Sequence, residues 1–131
     1  MSACFFCSAI RGGANRLELC ANLGLGGGTT PSIGLFKAVK RAAQNVPIMV
    51  MVRPRTGDFV YSALEMDIML EDIRNFKHAG ATGLVFGALT PAGRVDIDKT
   101  FVSVYSLPVL MTCARDSDLV HGADLSPRRL R

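Results

Sequence analysis

The run Val46-Pro47-Ile48-Met49-Val50-Met51-Val52 constrains the fold most, because it is apolar at every position. A strand of this kind is covered on both faces, which is the signature of a parallel sheet wrapped by helices. Further strand candidates begin near positions 15, 83 and 107, with helical patterns between them. Strand–helix alternation at roughly 30-residue intervals indicates βαβ units with right-handed crossovers. No hairpin signal interrupts that order. The expected class is therefore α/β with about four parallel strands. A closed eightfold barrel takes roughly 250 residues, so a chain of 131 residues supplies at most part of one, in a single domain.

Composition narrows the function classes. With 49% hydrophobic and 20% charged residues the chain is globular, and the net charge of +4 is modest. No basic cluster interleaves with aromatics, which argues against a nucleic-acid partner. No apolar run approaches the ~20 residues of a membrane span, and Met1–Ile10 lacks the basic flank of a secretory signal. The expected compartment is the cytoplasm, with the nucleus as the other reducing option. There Cys4, Cys7, Cys20 and Cys113 stay reduced.

The richest segment is Asn15 to Ser32. In Arg16-Leu17-Glu18-Leu19-Cys20 the leucines alternate with Glu18 and Cys20, so a strand places them on opposite faces. A glycine-rich loop follows, with Gly24, Gly26, Gly27 and Gly28. Thr30 is the expected N-cap and Pro31 the first residue of the next helix, running to Gln44. A carboxylate and a thiol at a strand's C-terminal end, beside a helix N-terminus, stand where parallel α/β folds put their chemistry. A plain βα turn is the competing reading.

Elsewhere, Ser62-Ala63-Leu64-Glu65 is a capping box that opens a helix with a Met69, Ile73, Phe76 stripe, ended by Gly80. His78, near its C-terminus, reads as a surface residue. Met1–Ile10 reads as a short apolar strand; its Cys4–Cys7 spacing suits a metal pair, but a lone C-x-x-C says little. Asp96–Tyr105 reads as a short helix, Leu107–Cys113 as a strand, and 114–131 as an irregular tail.

Four segments in order carry a resemblance: Arg11 to Cys20, Gly27-Gly-Thr-Thr-Pro-Ser32, Val50-Met-Val-Arg-Pro-Arg-Thr-Gly-Asp-Phe59 and Gly83-Leu-Val-Phe-Gly-Ala-Leu-Thr90. They resemble the CutC copper-homeostasis family over about Arg11 to Lys99. The resemblance implies a (βα) barrel, a cytosolic setting, a link to copper tolerance and Cu(I) binding through cysteines, with no firmly assigned reaction. Two departures accompany it. Only ten residues precede Arg11, where the family has a complete strand and helix, and a family histidine falls on Thr112. A truncated or alternatively spliced form is the expectation.

Two chemistries follow. Cys20, with Met49 and Met51 on a shared face, offers thiolate and thioether donors of the kind that select Cu(I), with Cys4 and Cys7 as further metal candidates; methionines filling core space are the plainer option. Alternatively, Glu18 and Arg53 are catalytic candidates, and Gly27, Gly28, Thr29, Thr30, Arg53 and Arg55 form an anion site for a small phosphate or carboxylate metabolite. An ion pair between Glu18 and Arg53 is the structural alternative. A third reading is an inactive fragment that associates with another chain, or with copies of itself, through open barrel edges.

Overall fold

The computed structural model describes residues 3–43, 45–100 and 110–113. In chain order the elements are α1 (Ala3–Arg11), β1 (Leu17–Leu19), α2 (Leu23–Gly26), α3 (Ile33–Ala43), β2 (Ile48–Met51), α4 (Ala63–His78), β3 (Gly83–Phe86) and β4 (Leu110–Cys113). The strands form one sheet in the order β1-β2-β3-β4, and every pairing is parallel. The sequential parallel order is what the strand spacing predicts, and it suits a segment of the (βα) barrel that the resemblance implies.

Register fixes which side chains share a face. Leu19 aligns with Val50 and Val50 with Leu84, while Glu18 aligns with Met49 and Met51 with Val85. The first set, with Leu17, Ile48, Val52 and Phe86, packs into one cluster with Phe36, Val39, Met69, Ile73 and Phe76 of α3 and α4. Met49 and Val85 are buried but belong to the other face, which a barrel turns inward. The parity read from the alternating sequence therefore holds. Each fully buried Leu, Val or Phe on the helix side contributes about 1.5–3 kcal/mol. Phe36 and Phe76 lock α3 to α4 edge-to-face, with ring centroids 5.6 Å apart at 78°.

The α4 capping box forms as expected: the Ser62 hydroxyl accepts from the Glu65 N–H and the Glu65 carboxylate accepts from the Ser62 N–H. Tyr61 immediately before the cap and Met66 one turn in are both buried, completing a hydrophobic staple. Gly80 ends the helix at φ 84°, and Lys40 of α3 donates to the carbonyls of Ala79 and Gly80 at 2.7 and 3.0 Å. His78 is exposed, as expected.

Two expectations are corrected. Residues 3–11 are helix, not strand: Phe6 is buried and Ala9 and Ile10 pack partly on the core, a helical spacing that anchors α1 against α3. The helix after the glycine loop begins at Ile33, not Pro31, and Ser32 caps it by accepting from the Leu35 N–H at 3.1 Å. The Thr30 hydroxyl is unavailable because it accepts from the Arg53 N–H at 2.9 Å. Residues 97–100 are helical behind Asp96, whose carboxylate accepts from the Lys99 N–H. The remainder of that expected helix, and the tail, lie outside the described residues. Among the described residues no helix is long and apolar enough to cross a membrane.

Candidate functional site

The loop that follows β1 folds on itself. Asn22 adopts a left-handed conformation (φ 50°) and starts the single turn α2, which Gly27 closes at φ 69°. Gly27 and Gly28 then donate their N–H groups to the carbonyls of Leu23 and Asn22, Thr29 donates to Ala21, and Thr30 donates to the Arg53 carbonyl. All four N–H groups expected to cradle an anion are thus used inside the protein. That correction has a simple cause: a loop rich in glycine can satisfy its own backbone.

Gly28 is the pivot of the loop. At φ 95°, a Cβ added there would stand 2.7 Å from Met51 Sδ and 3.5 Å from Cys20 Cβ. Only a glycine lets the chain pass so close to the Met51 thioether at the end of β2 and to Cys20 Cβ after β1. Cys20 is 4% exposed, and burial, then the nearby Glu18 charge, push its thiol above the ordinary range. Glu18 itself points to solvent from the face it shares with Met49.

Arg53, just beyond β2, ties the two loops together. Its Nη1 donates to the carbonyls of Gly26 and Gly28 at 2.9 and 3.0 Å, and Nη2 to Gly57 at 2.8 Å. The guanidinium lies over the Phe59 ring, 4.7 Å from its centroid. Among the described residues no ion pair joins Glu18 to Arg53, so the expected strand-end pair is not formed. Arg53 Nε is buried and has no hydrogen-bond partner.

Arg55 is employed differently. Its Nε meets the Glu65 carboxylate, Nη1 donates to the carbonyls of Thr56 and Asp58, and Nη2 donates to Asp58 Oδ1 and the Val60 carbonyl. These contacts occupy all five N–H groups of the fork, leaving none for an incoming anion. Ser62 N–H together with Arg55 holds the Glu65 carboxyl down at about 2.

Tyr61 escaped the sequence reading. It is 3% exposed, and its hydroxyl, like Arg53 Nε, is buried without a partner. Burial pushes the phenol upward, opposed by the Arg53 and Arg55 charges; Arg53 is close enough to act on it, yet neither orphan atom completes a hydrogen bond. The signal available was its position one residue before a capping box, a place that buries its side chain.

The metal candidates do not converge as a group. Cys7 lines a groove with Val46 and Pro47, which lead into β2, whereas Cys20 follows β1 at the other end of the sheet. Cys4 lies in α1, and its side chain is outside the described set. Among the described residues no cluster of three or more His, Cys, Asp or Glu side chains is placed to hold a metal. What remains for a soft cation is Cys20 with the methionine sulfurs.

Comparison with known proteins decides the family. The CutC family model matches residues 2–123. The chain belongs to the CutC family. It is 50% identical over 116 residues to the copper homeostasis protein cutC homolog of Mus musculus and 48% identical over 116 residues to that of Homo sapiens. Each alignment covers 87% of this chain but only 42% and 41% of the relative. A CutC family protein of Vibrio vulnificus is 45% identical over 114 residues, covering 85% of this chain and 45% of the relative. The chain therefore spans less than half the length of these CutC relatives. The crystal structure of a CutC protein from Streptococcus agalactiae superposes with a TM-score of 0.71 at 35% identity, covering 76% of this chain and 48% of that one.

Proposed function

We propose that this CutC chain serves copper homeostasis by holding Cu(I) at Cys20, with Met51 as second sulfur donor and Met49 on the same face. The observation that carries the reading is that Met51 Sδ and Cys20 Cβ both stand beside Gly28. A thiolate paired with a thioether is a soft donor set, which favours Cu(I) over the harder divalent ions. Cys7 and Cys20 are free thiols, which fits a reducing compartment such as the cytosol or nucleus.

The raised thiol pKa sets the pH behaviour. Cu(I) must displace the thiol proton, so affinity rises with pH throughout the range below that pKa. Cu(I) titration against a chromophoric chelator, under reducing conditions, measures this directly. The full chain competes for the metal, and Cys20→Ser loses at least about tenfold in affinity. Equal competition by the variant removes Cys20 from the site.

A further inference from the structure

We propose that two copies of this chain close one eight-stranded (βα) barrel, the β4 edge of each copy pairing in parallel with the β1 edge of the other. Among the described residues β1 and β4 are the two ends of the sheet, and neither has a strand on its outer side. Leu17 donates its N–H to the Pro47 carbonyl on the β2 side, so strand alternation turns the Glu18 N–H and carbonyl to the free edge. The Glu18 side chain stands on the face it shares with Met49, clear of that edge. Backbone groups left open along an edge strand are a template for another strand.

Symmetry selects a second copy as the occupant. Every strand pairing in the sheet is parallel. A two-fold axis running along the strands sets β4 of one copy beside β1 of its partner with the strands still parallel. The same rotation does this twice, so a single partner covers both edges. A dimer joined β1 to β1 leaves both β4 edges open. Strand number agrees: a closed barrel of this type takes eight, each copy brings four, and the superposition on the Streptococcus agalactiae structure covers 48% of that chain.

The inner face suits the same arrangement. The interior of an eight-stranded barrel is filled in layers of four side chains contributed by alternate strands, so each copy supplies half of every layer. Met49 of β2 and Val85 of β3 lie on that face, opposite the cluster formed with α3 and α4, and are apolar side chains of the kind such layers hold. The pairing uses backbone edges, whereas the copper reading uses the side chains of Cys20 and Met51. Failure of either proposal therefore leaves the other standing.

Sedimentation equilibrium of the full 131-residue chain, over a wide range of concentration and under reducing conditions, provides the test. The mass doubles from the 14.0 kDa of one chain and stops there. Residue-resolved amide exchange then locates the contact: the Glu18 N–H exchanges freely in the dilute monomer and at least about tenfold more slowly in the dimer. Glu18→Pro removes that outward N–H, a change an edge strand tolerates, and holds the mass at one chain with the parental circular dichroism spectrum. Should the variant not fold, exchange at Glu18 in the parent still decides the contact. A single-chain mass at every concentration, growth past two chains, or dimerisation that leaves Glu18 exchange unchanged overturns the proposal, as does a folded Glu18→Pro that still dimerises.

Discussion

Arg53 and Arg55 sit in one loop and carry the same side chain, yet the fold uses them in opposite ways. Arg55 faces two carboxylates and three carbonyls, and its charge and its N–H groups are all matched. Arg53 faces carbonyls and an aromatic ring, so its charge is unmatched and one N–H is left over. The first is a clamp from the loop onto the start of α4; the second is a clamp from the loop onto the glycine turn. Residue type alone marks both arginines at the C-terminal end of the sheet, and only their partners separate the one paired with carboxylates from the one held by carbonyls and a ring.

The largest expected effect tests the Arg53 clamp. Arg53→Leu strands the carbonyls of Gly26, Gly28 and Gly57 and frees the loop, costing about 3 kcal/mol or more in chemical denaturation. A loss below about 0.5 kcal/mol contradicts its structural role. Next comes Gly28→Ala, which combines a φ of 95° with a contact on Met51 Sδ. It costs about 1–3 kcal/mol by the same measurement and weakens Cu(I) binding by moving Met51 away from Cys20.

The smallest effect concerns the Arg55 side and appears only in acid. Glu65 has a carboxyl pKa lowered from 4.5 to about 2, so the folded state binds this proton less readily than the unfolded state. Its contribution is complete above about 4.5 and is lost as the pH falls towards 2. Glu65→Gln, which can still form the capping box, flattens the acid limb of a Tm-against-pH profile in that window. Asp58 and Asp96, also lowered by their hydrogen bonds, leave part of the slope in place. A profile identical to the parent's contradicts the assignment.

Much of the fold was legible because local patterns and tertiary demands agree. The apolar run at β2, the alternating leucines of β1 and the capping box of α4 each specify one element, and the structure contains all three. The segment before Arg11 misled because a short apolar run without clear periodicity suits strand and helix alike; packing of Phe6, Ala9 and Ile10 decided it. At the site, Cys20, Met51 and Arg53 were visible as residue types placed at strand ends. The fate of the loop N–H groups was not, because self-satisfaction depends on the φ values of Asn22, Gly27 and Gly28. The buried hydroxyl of Tyr61 was hidden for a related reason: a staple position predicts burial of the ring and says nothing about its polar tip.

The central claim is that Cys20 and Met51, whose side chains both stand beside Gly28, make the copper site. X-ray absorption at the copper K-edge of the Cu(I)-loaded full chain tests it most directly. The account predicts a sulfur-only first shell that changes in Cys20→Ser and loses a scatterer in Met51→Leu. A shell of nitrogen or oxygen, or a spectrum unchanged by both substitutions, contradicts it.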